Sequence, residues 1–166
     1  WLDYISAQHP AKIALGLDRV REVMGRMRLA PPAIAITVGG TNGKGSTCAY
    51  LRAMLEAASL RVHVYTSPYL VRINECYRIG GMGGGRLVED AELRRVLEHC
   101  EQVNQGEPIT IFEIQTAAAF CLFALHDADV VLLETGLGGL LDATNVIDRP
   151  VAVVIAPVSM DHTEFL

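Results

Sequence analysis

The segment Gly39-Gly40-Thr41-Asn42-Gly43-Lys44-Gly45-Ser46 has the composition of a phosphate-binding loop. Glycines let backbone N–H groups point at an anion, and a following helix adds the partial positive charge of its N-terminus. Lys44 would place a mobile charge beside the β- and γ-phosphates of a nucleotide, and Ser46 would offer an oxygen near its metal ion. The candidate nucleotide-binding residues are Thr41, Asn42, Gly43, Lys44, Gly45 and Ser46.

The spacing of this segment departs from the strict Walker A pattern. Val38 stands where that pattern has its first glycine, Gly45 stands where it has serine or threonine, and Ser46 comes one residue late. An apolar run before the segment and an amphipathic helix after it favour a P-loop. The alternative is a glycine-rich turn with a solvated lysine.

A carboxylate, a hydroxyl and an imidazole follow three other apolar runs. Glu134 ends the run Val130–Leu133, where an unpaired carboxylate is unfavourable unless it binds a metal ion. Mg²⁺ prefers oxygen ligands, so Glu134 and Ser67 are candidate ligands. His162 is a less usual Mg²⁺ ligand, and a hydrogen-bonded surface or core histidine is the alternative interpretation.

The pattern of apolar runs predicts strands that alternate with helices. The predicted strands are Ala33–Val38, Val62–Tyr65, Val130–Leu133 and Val151–Ala156; helices are predicted over 1–30, after Gly45, over Glu89–Val103 and over Phe112–Leu125. This order favours an α/β fold with a mostly parallel sheet and helices on both faces. Ligands bind at the carboxyl ends of such strands, where the candidate residues converge.

The glycine-rich stretch Gly80–Gly85 is predicted to be a mobile loop. A surface connection and a substrate lid are both open interpretations.

Composition limits the classes of function. The chain has 166 residues, about one domain, with 51% apolar and 20% charged residues. The net charge of -5 argues against a general nucleic-acid-binding protein. Four cysteines without metal spacing indicate reduced thiols in a cytoplasmic protein, and no apolar run is long enough to span a bilayer. We expect a monomer with small-molecule substrates. A first residue Trp1 instead of methionine indicates a fragment.

Several motifs together resemble the folylpolyglutamate synthase and dihydrofolate synthase family, which is related to the Mur ligases. The core of the resemblance is GTNGKGS, from Gly40 to Ser46. Further matches follow in order: HPAKIALGLDRV (His9–Val20), YTSPYLVR (Tyr65–Arg72), ITIFE (Ile109–Glu113), LETGLGGLLDATN (Leu133–Asn145) and SMDHTEFL (Ser159–Leu166). The resemblance covers nearly the whole chain and makes the late Ser46 a family feature.

The resemblance implies an ATP-dependent ligase that joins dihydropteroate, or a folate carrying glutamate, to L-glutamate through an acyl phosphate. ATP and Mg²⁺ would be the cofactors, and Ser67, Glu134 and His162 would hold the metal. Lys44, Glu134 and His162 would be the catalytic residues. The pterin pocket would be lined by Thr110, Ile111, Phe112, Glu113, Leu141, Asp142 and Ala143.

The resemblance also implies a domain division and leaves alternatives. Residues 1–166 would be an incomplete N-terminal ATP-binding domain, and the glutamate-binding C-terminal domain would lie outside the chain. Leu140, Tyr69 and Cys76 depart from the usual family residues and leave the exact pterin substrate open. The alternatives are a Mur-type ligase that acts on a cell-wall precursor, and an ATP-binding module without turnover.

Overall fold

The computed structural model describes residues 9, 13–30, 32 and 34–163, and these form a mixed α/β fold around a six-stranded sheet. The strand order is β4-β3-β2-β5-β1-β6. The strands are β1 (Ala35–Gly39), β2 (Val62–Tyr65), β3 (Tyr77–Ile79), β4 (Arg86–Leu87), β5 (Val130–Glu134) and β6 (Ala152–Ile155). The helices are α1 (Asp18–Arg26), α2 (Lys44–Ala57), α3 (Asp90–Asn104) and α4 (Ile111–Ala124), with short 3₁₀ turns at Ile73–Cys76 and Ala143–Val146.

The four strands predicted from the sequence form the parallel part of the sheet. β1 lies between β5 and β6 and pairs in parallel with both, and β2 pairs in parallel with β5. The carboxyl ends of all four strands therefore meet at one edge of the sheet. The predicted mostly parallel sheet is confirmed.

Helices cover both faces of the sheet because the strands are apolar on both sides. On one face, Val38 of β1 and Val64 of β2 pack with Cys48 and Leu51 of α2. On the other face, a larger core joins the sheet to α1, α3 and α4. The most apolar helix, α4, lies against this larger core, at the position where a helix was predicted over Phe112–Leu125.

The N-terminal region is less helical than predicted. Within the described part of 1–30, the helix spans only Asp18–Arg26, and 13–17 runs without regular structure beside the sheet edge. The prediction for 1–8 and 10–12 lies outside the described residues.

The stretch Gly80–Gly85 connects β3 and β4, a hairpin that the sequence did not reveal. β3 runs antiparallel to β2, so this turn lies beside Val62, at the amino end of β2. Its backbone is bonded to that edge: Gly80 N donates to His63 Nδ1 at 2.9 Å, and Arg78 Nη2 donates to Gly85 O at 2.7 Å. The lid hypothesis is therefore wrong, because the loop is at the opposite edge from the predicted site.

The four cysteines are all buried and free, as expected for reduced thiols. Burial raises the pKa of the Cys48 thiol to about 12, so it stays protonated at neutral pH. Across the described residues, no helix is long and apolar enough to cross a membrane.

His63 predicts a pH dependence of stability. Its Nδ1 accepts from Gly80 N, its Nε2 donates to His126 O at 3.1 Å, and its ring stacks on Phe123 at 4.7 Å. Burial is the main cause that lowers the pKa of His63, with His126 and Arg61 adding repulsion. The unfolded chain therefore takes up a proton that the folded chain resists.

We expect the free energy of unfolding to fall as pH decreases through the range below about 6.5, by up to about 1.4 kcal/mol per pH unit from this group. Urea titrations of the wild type and of His63→Asn at a series of pH values measure it. The variant should be less stable at neutral pH and should lose part of the slope. Equal slopes in the two proteins would show that His63 does not cause the dependence.

Candidate nucleotide and substrate site

A cavity of about 860 Å³ opens at the carboxyl edge of the parallel strands. Segments that follow β1, β2, β5 and β6 line it, and so do the N-terminus of α4 and residues 13–15. It combines a polar end beside Lys44 with a wall of aliphatic and aromatic side chains. This pairing suits a ligand that is anionic at one end and aromatic or apolar at the other.

The loop between β1 and α2 forms the polar end. Gly43 has a φ of 82°, in the left-handed region, and the helix begins at the next residue, Lys44. Lys44 Nζ donates to Gly40 O at 2.9 Å and to Thr41 O at 3.2 Å, so the ammonium lies over the loop. The first-turn amides of α2 have no earlier helical carbonyl to bond, so this terminus is suited to an anion.

The loop is bonded to the segment that follows β6. Thr41 N and Asn42 N donate to Pro157 O at 2.9 and 3.2 Å. The Thr41 hydroxyl donates to Ser159 O and accepts from Ser159 N, both at 3.0 Å. Gly40 has a φ of 130° and would place a Cβ 2.7 Å from Ala156 O, so only glycine fits this close approach. The segment after β6 therefore helps to fix the loop.

Glu134 lies behind the loop and is almost fully buried, with 6% of its surface exposed. Its Oε2 accepts from Ser67 N at 3.3 Å and lies 3.5 Å from the position of a Cβ on Gly45. Burial raises the pKa of Glu134, while hydrogen bonds from the Ser67 and Gly45 amides and the charge of Lys44 oppose the shift. These neighbours compensate the carboxylate only in part, which suits it to receive a cation.

His162 is brought to the same cavity as Ser67, but it does not bond to Glu134. It is exposed, its backbone N donates to Asp161 Oδ1 at 2.9 Å, and its Nε2 lies 3.8 Å from Asp161 Oδ2. In the part of the chain that the structure describes, no group of three His, Cys, Asp or Glu side chains forms a ready metal cluster. Of the predicted metal ligands, Ser67 and Glu134 are adjacent, and His162 lies on the cavity rim.

The N-terminus of α4 forms the aromatic wall. The Thr110 side chain accepts from Glu113 N at 3.3 Å, and Glu113 Oε2 accepts from Thr110 N at 2.8 Å, so the two residues form a capping box. The cap presents Ile111 and Phe112 to the cavity. The Phe112 ring stacks on Tyr65 at 6.4 Å, and Tyr65 is itself fully buried.

Glu113 was predicted to line the pterin pocket, and its carboxylate is already engaged. It is 2% exposed, and both oxygens accept from Arg19 Nε at 3.0 Å. Oε2 also accepts from the Thr110 hydroxyl at 2.9 Å. Glu113 borders the cavity, but its oxygens are bonded to Arg19 and Thr110 and hold the cap of α4.

The turn Leu141–Ala143 forms the third wall. Leu141 is half exposed at the cavity mouth, whereas Asp142 is buried. Asp142 accepts from Leu137 N at 2.7 Å, from Thr144 N at 3.0 Å and from the Thr144 hydroxyl at 2.6 Å. A carboxylate has about four acceptor positions, and bonds from the described residues use three of them.

Two residues that matter for this geometry were not predicted as site residues. Gly136 follows β5, and a Cβ there would lie 2.6 Å from Phe112 Cζ. Arg19 bonds to Glu113 from α1. The capping-box spacing of Thr110 and Glu113 is visible in the sequence and could have revealed that Glu113 is engaged. The sequence gives no signal for its pairing with Arg19.

Gly136→Ala is expected to displace the Phe112 ring, because the two groups would overlap at 2.6 Å. We expect overpacking to reduce the stability by about 1–3 kcal/mol and to weaken binding of an aromatic ligand in the cavity. Gly25→Ala is the matched control, because a Cβ at Gly25 in α1 would meet nothing within 4 Å. Thermal unfolding of both variants is the measurement. Equal stability of the two variants would contradict the steric argument.

The strand β1, the glycine-rich loop and the helix that starts at Lys44 form the strand–loop–helix arrangement of a P-loop α/β protein, with the buried Glu134 behind the loop. No protein-family model matches the chain. The chain is 44% identical over its whole length to the dihydrofolate synthase/folylpolyglutamate synthases of Haemophilus influenzae and Escherichia coli. It therefore belongs to the dihydrofolate synthase/folylpolyglutamate synthase family. It spans 37% and 38% of the length of these two relatives.

Solved structures agree with this family. A structure of Escherichia coli FolC in complex with DHPP and ADP matches the whole chain with a TM-score of 0.91 and 40% identity. The chain covers 39% of that protein. A bifunctional folylpolyglutamate synthase/dihydrofolate synthase with Mn, AMPPNP and L-glutamate bound matches 98% of the chain, with a TM-score of 0.87 and 42% identity. The chain covers 38% of that protein.

Proposed function

We propose that the full-length protein is an ATP-dependent ligase that joins the carboxylate of dihydropteroate or a folate to the amine of L-glutamate. One observation supports this most: the loop with Lys44, the buried Glu134 and an apolar, aromatic cavity meet at one edge of the sheet. Family membership and relatives solved with ADP, DHPP, AMPPNP and L-glutamate support the same assignment.

In this proposal, Thr41 to Ser46 hold the phosphates of ATP. Lys44 would leave its carbonyl partners, Gly40 O and Thr41 O, and pair with the β- and γ-phosphates. Backbone amides at the start of α2 would receive the remaining phosphate oxygens. The part of the loop that precedes these donors is held in place, because Gly40 packs against Ala156 and the Thr41 hydroxyl accepts from Ser159 N.

Glu134, the Ser67 side chain and His162 would hold Mg²⁺. The fit is supported by the buried, incompletely compensated carboxylate of Glu134 beside Ser67 and Lys44. Bound there, Mg²⁺ would neutralise charge on the phosphates during transfer. His162, exposed on the rim, would complete the set from the segment after β6.

The aromatic wall would hold the pterin. Phe112 offers a ring face that Tyr65 supports from behind, and Asp142 would accept from a ring N–H. Van der Waals contacts to the pterin would come from the other residues of this part of the lining, which are Thr110, Ile111, Leu141 and Ala143. Glu113 would act indirectly, by holding the helix cap that places Phe112.

The reaction would proceed in two transfers. An oxygen of the acceptor carboxylate attacks the γ-phosphorus of ATP, which gives an acyl phosphate and ADP. The glutamate amine then attacks the acyl carbon, and the amide forms as phosphate leaves and the nitrogen loses a proton. The residues of this chain would contribute mainly by positioning and by charge neutralisation. The part that binds glutamate would lie outside residues 1–166, in a C-terminal domain.

Incubation of the full-length protein with ATP, Mg²⁺, L-glutamate and dihydropteroate tests the proposal. We expect dihydrofolate and ADP in equal amounts, and a second assay with a folate acceptor decides whether polyglutamate extension also occurs. Omission of each substrate in turn is the control. ADP formation that is independent of both acceptor and glutamate would instead support a nucleotide-binding module without ligation.

A further inference from the structure

Arg19 connects separate walls of the cavity, although it belongs to none of the segments predicted to bind a ligand. Its Nε donates to both oxygens of Glu113 at 3.0 Å, and its Nη2 lies 2.7 Å from Glu113 Oε1. The same Nη2 donates to Ala14 O at 3.0 Å. One guanidinium thus bonds to the cap of α4 and to the segment that precedes α1.

Both of these partners form the cavity wall. Ile13, Ala14 and Leu15 line one side, and Ile111 and Phe112 line another. The segment before α1 also reaches the third wall, since Gly16 N donates to Leu141 O at 2.9 Å. The positions of all three walls are therefore linked through the contacts of Arg19 and its neighbours.

The pairing depends on the shape of the guanidinium. Glu113 is 2% exposed, so its oxygens need protein donors, and Arg19 supplies the partners of Oε1. A lysine at position 19 would keep the charge but would lose the planar fork that bonds to Glu113 and Ala14 together.

We propose that Arg19 is a positioning residue that sets the spacing between the Ala14 wall and Phe112, and thereby the affinity for the aromatic acceptor substrate. The proposal rests on the proposed function, because it assigns the apolar part of the cavity to the acceptor. Within the described residues, the Arg19 side chain bonds to Glu113 and Ala14 and to no residue of the loop that would hold ATP, so its effect should be selective for the acceptor.

Steady-state kinetics of the full-length protein test this selectivity. For Arg19→Gln we expect the KM for dihydropteroate to rise by about tenfold to a hundredfold, as for a wall displaced by about 1 Å, while the KM for ATP stays within about twofold. Arg19→Lys should show a smaller rise in the same parameter, because it keeps the charge. Arg21→Gln is the matched control: Arg21 is on the same helix, and among the described residues its side chain pairs with the exposed Asp148.

Circular dichroism first identifies which variants are folded. If Arg19→Gln is not folded, the kinetics of Arg19→Lys are compared with those of the wild type instead. An unchanged KM for dihydropteroate in a folded Arg19 variant would overturn the proposal, and so would equal rises in KM for both substrates.

If the wild type makes no product, the proposed function fails. Hydrogen exchange then tests whether Arg19 positions the cavity walls. Faster exchange of the amides at 13–16 and 111–113 in the variants, with 40–46 unchanged, supports it. Unchanged exchange at 13–16 and 111–113 refutes it.

Discussion

Lys44→Ala is expected to weaken ATP binding by the full-length protein by about a hundredfold, or about 3 kcal/mol, and to abolish ligation. Lys44 is the cation that the structure places over the loop, 2.9 Å from Gly40 O. Alanine has high helix propensity, so it should leave the start of α2 intact. Calorimetric titration with a non-hydrolysable ATP analogue measures the affinity without turnover.

The control for Lys44 is Arg94→Ala, which removes one positive charge from the exposed surface of α3. Arg94 pairs with Glu98 on the same helix and lies in neither the loop nor the cavity lining. We expect near-normal ATP affinity in this variant. Equal affinities of Lys44→Ala and the wild type would remove the basis for a P-loop.

Glu134→Gln is expected to lower Mg²⁺-dependent turnover by several orders of magnitude with little change in stability. Glutamine has the same shape as glutamate and can still accept from Ser67 N, but it lacks the negative charge that a hard cation requires. Because burial raises the pKa of Glu134, removal of the charge should not destabilise the protein in the absence of Mg²⁺. A Mg²⁺ titration of turnover, with Glu98→Gln as the remote control, measures the effect. Near-normal turnover at low Mg²⁺ would make Glu134 a structural residue.

The raised pKa of Glu134 also gives a direction for pH dependence. A proton on the carboxylate competes with the metal, so Mg²⁺ affinity should fall as pH decreases through the folded pKa, which burial raises above the ordinary value of a glutamate. Without Mg²⁺, the free energy of unfolding changes with pH in the opposite direction. The folded state holds the Glu134 proton more tightly than the unfolded state does, so the stability that this proton contributes is lost as pH rises through the folded pKa.

The sequence predicted the parallel strands because each is a short apolar run that is followed by polar or glycine residues. Val62–Tyr65 was predicted without error, and Val130–Leu133 lacked only the final Glu134. Since parallel strands end at one edge, the convergence of Lys44, Ser67 and Glu134 followed from the same pattern.

The hairpin formed by β3 and β4 was not predictable in the same way. The two strands have three and two residues, too few for a periodic pattern to appear. Their antiparallel direction carries Gly80–Gly85 to the amino edge of the sheet. Glycine content alone suggested mobility but gave no position, and the lid hypothesis therefore failed.

The hydrogen-bond partners of the buried carboxylates could not be predicted from the sequence, because they depend on tertiary contacts. Glu113 and Asp142 belong to motifs that suggested ligand contact, yet their oxygens accept from Arg19, Thr110, Leu137 and Thr144. The Arg19–Glu113 pair spans 94 positions of the sequence, and no local pattern encodes it. The residues predicted to form the pocket line a cavity at the carboxyl edge of the sheet, and the structure was needed to show which of their carboxylates are bonded within the protein.

Transfer of oxygen from the acceptor to phosphate shows whether the amide forms through an acyl phosphate. Dihydropteroate labelled with ¹⁸O at both carboxylate oxygens is incubated with the full-length protein, ATP, Mg²⁺ and L-glutamate, and the released phosphate is analysed by mass spectrometry. An acyl phosphate requires one carboxylate oxygen to leave with phosphate, so we predict one ¹⁸O in each phosphate formed. Dihydrofolate formation with unlabelled phosphate would contradict the account.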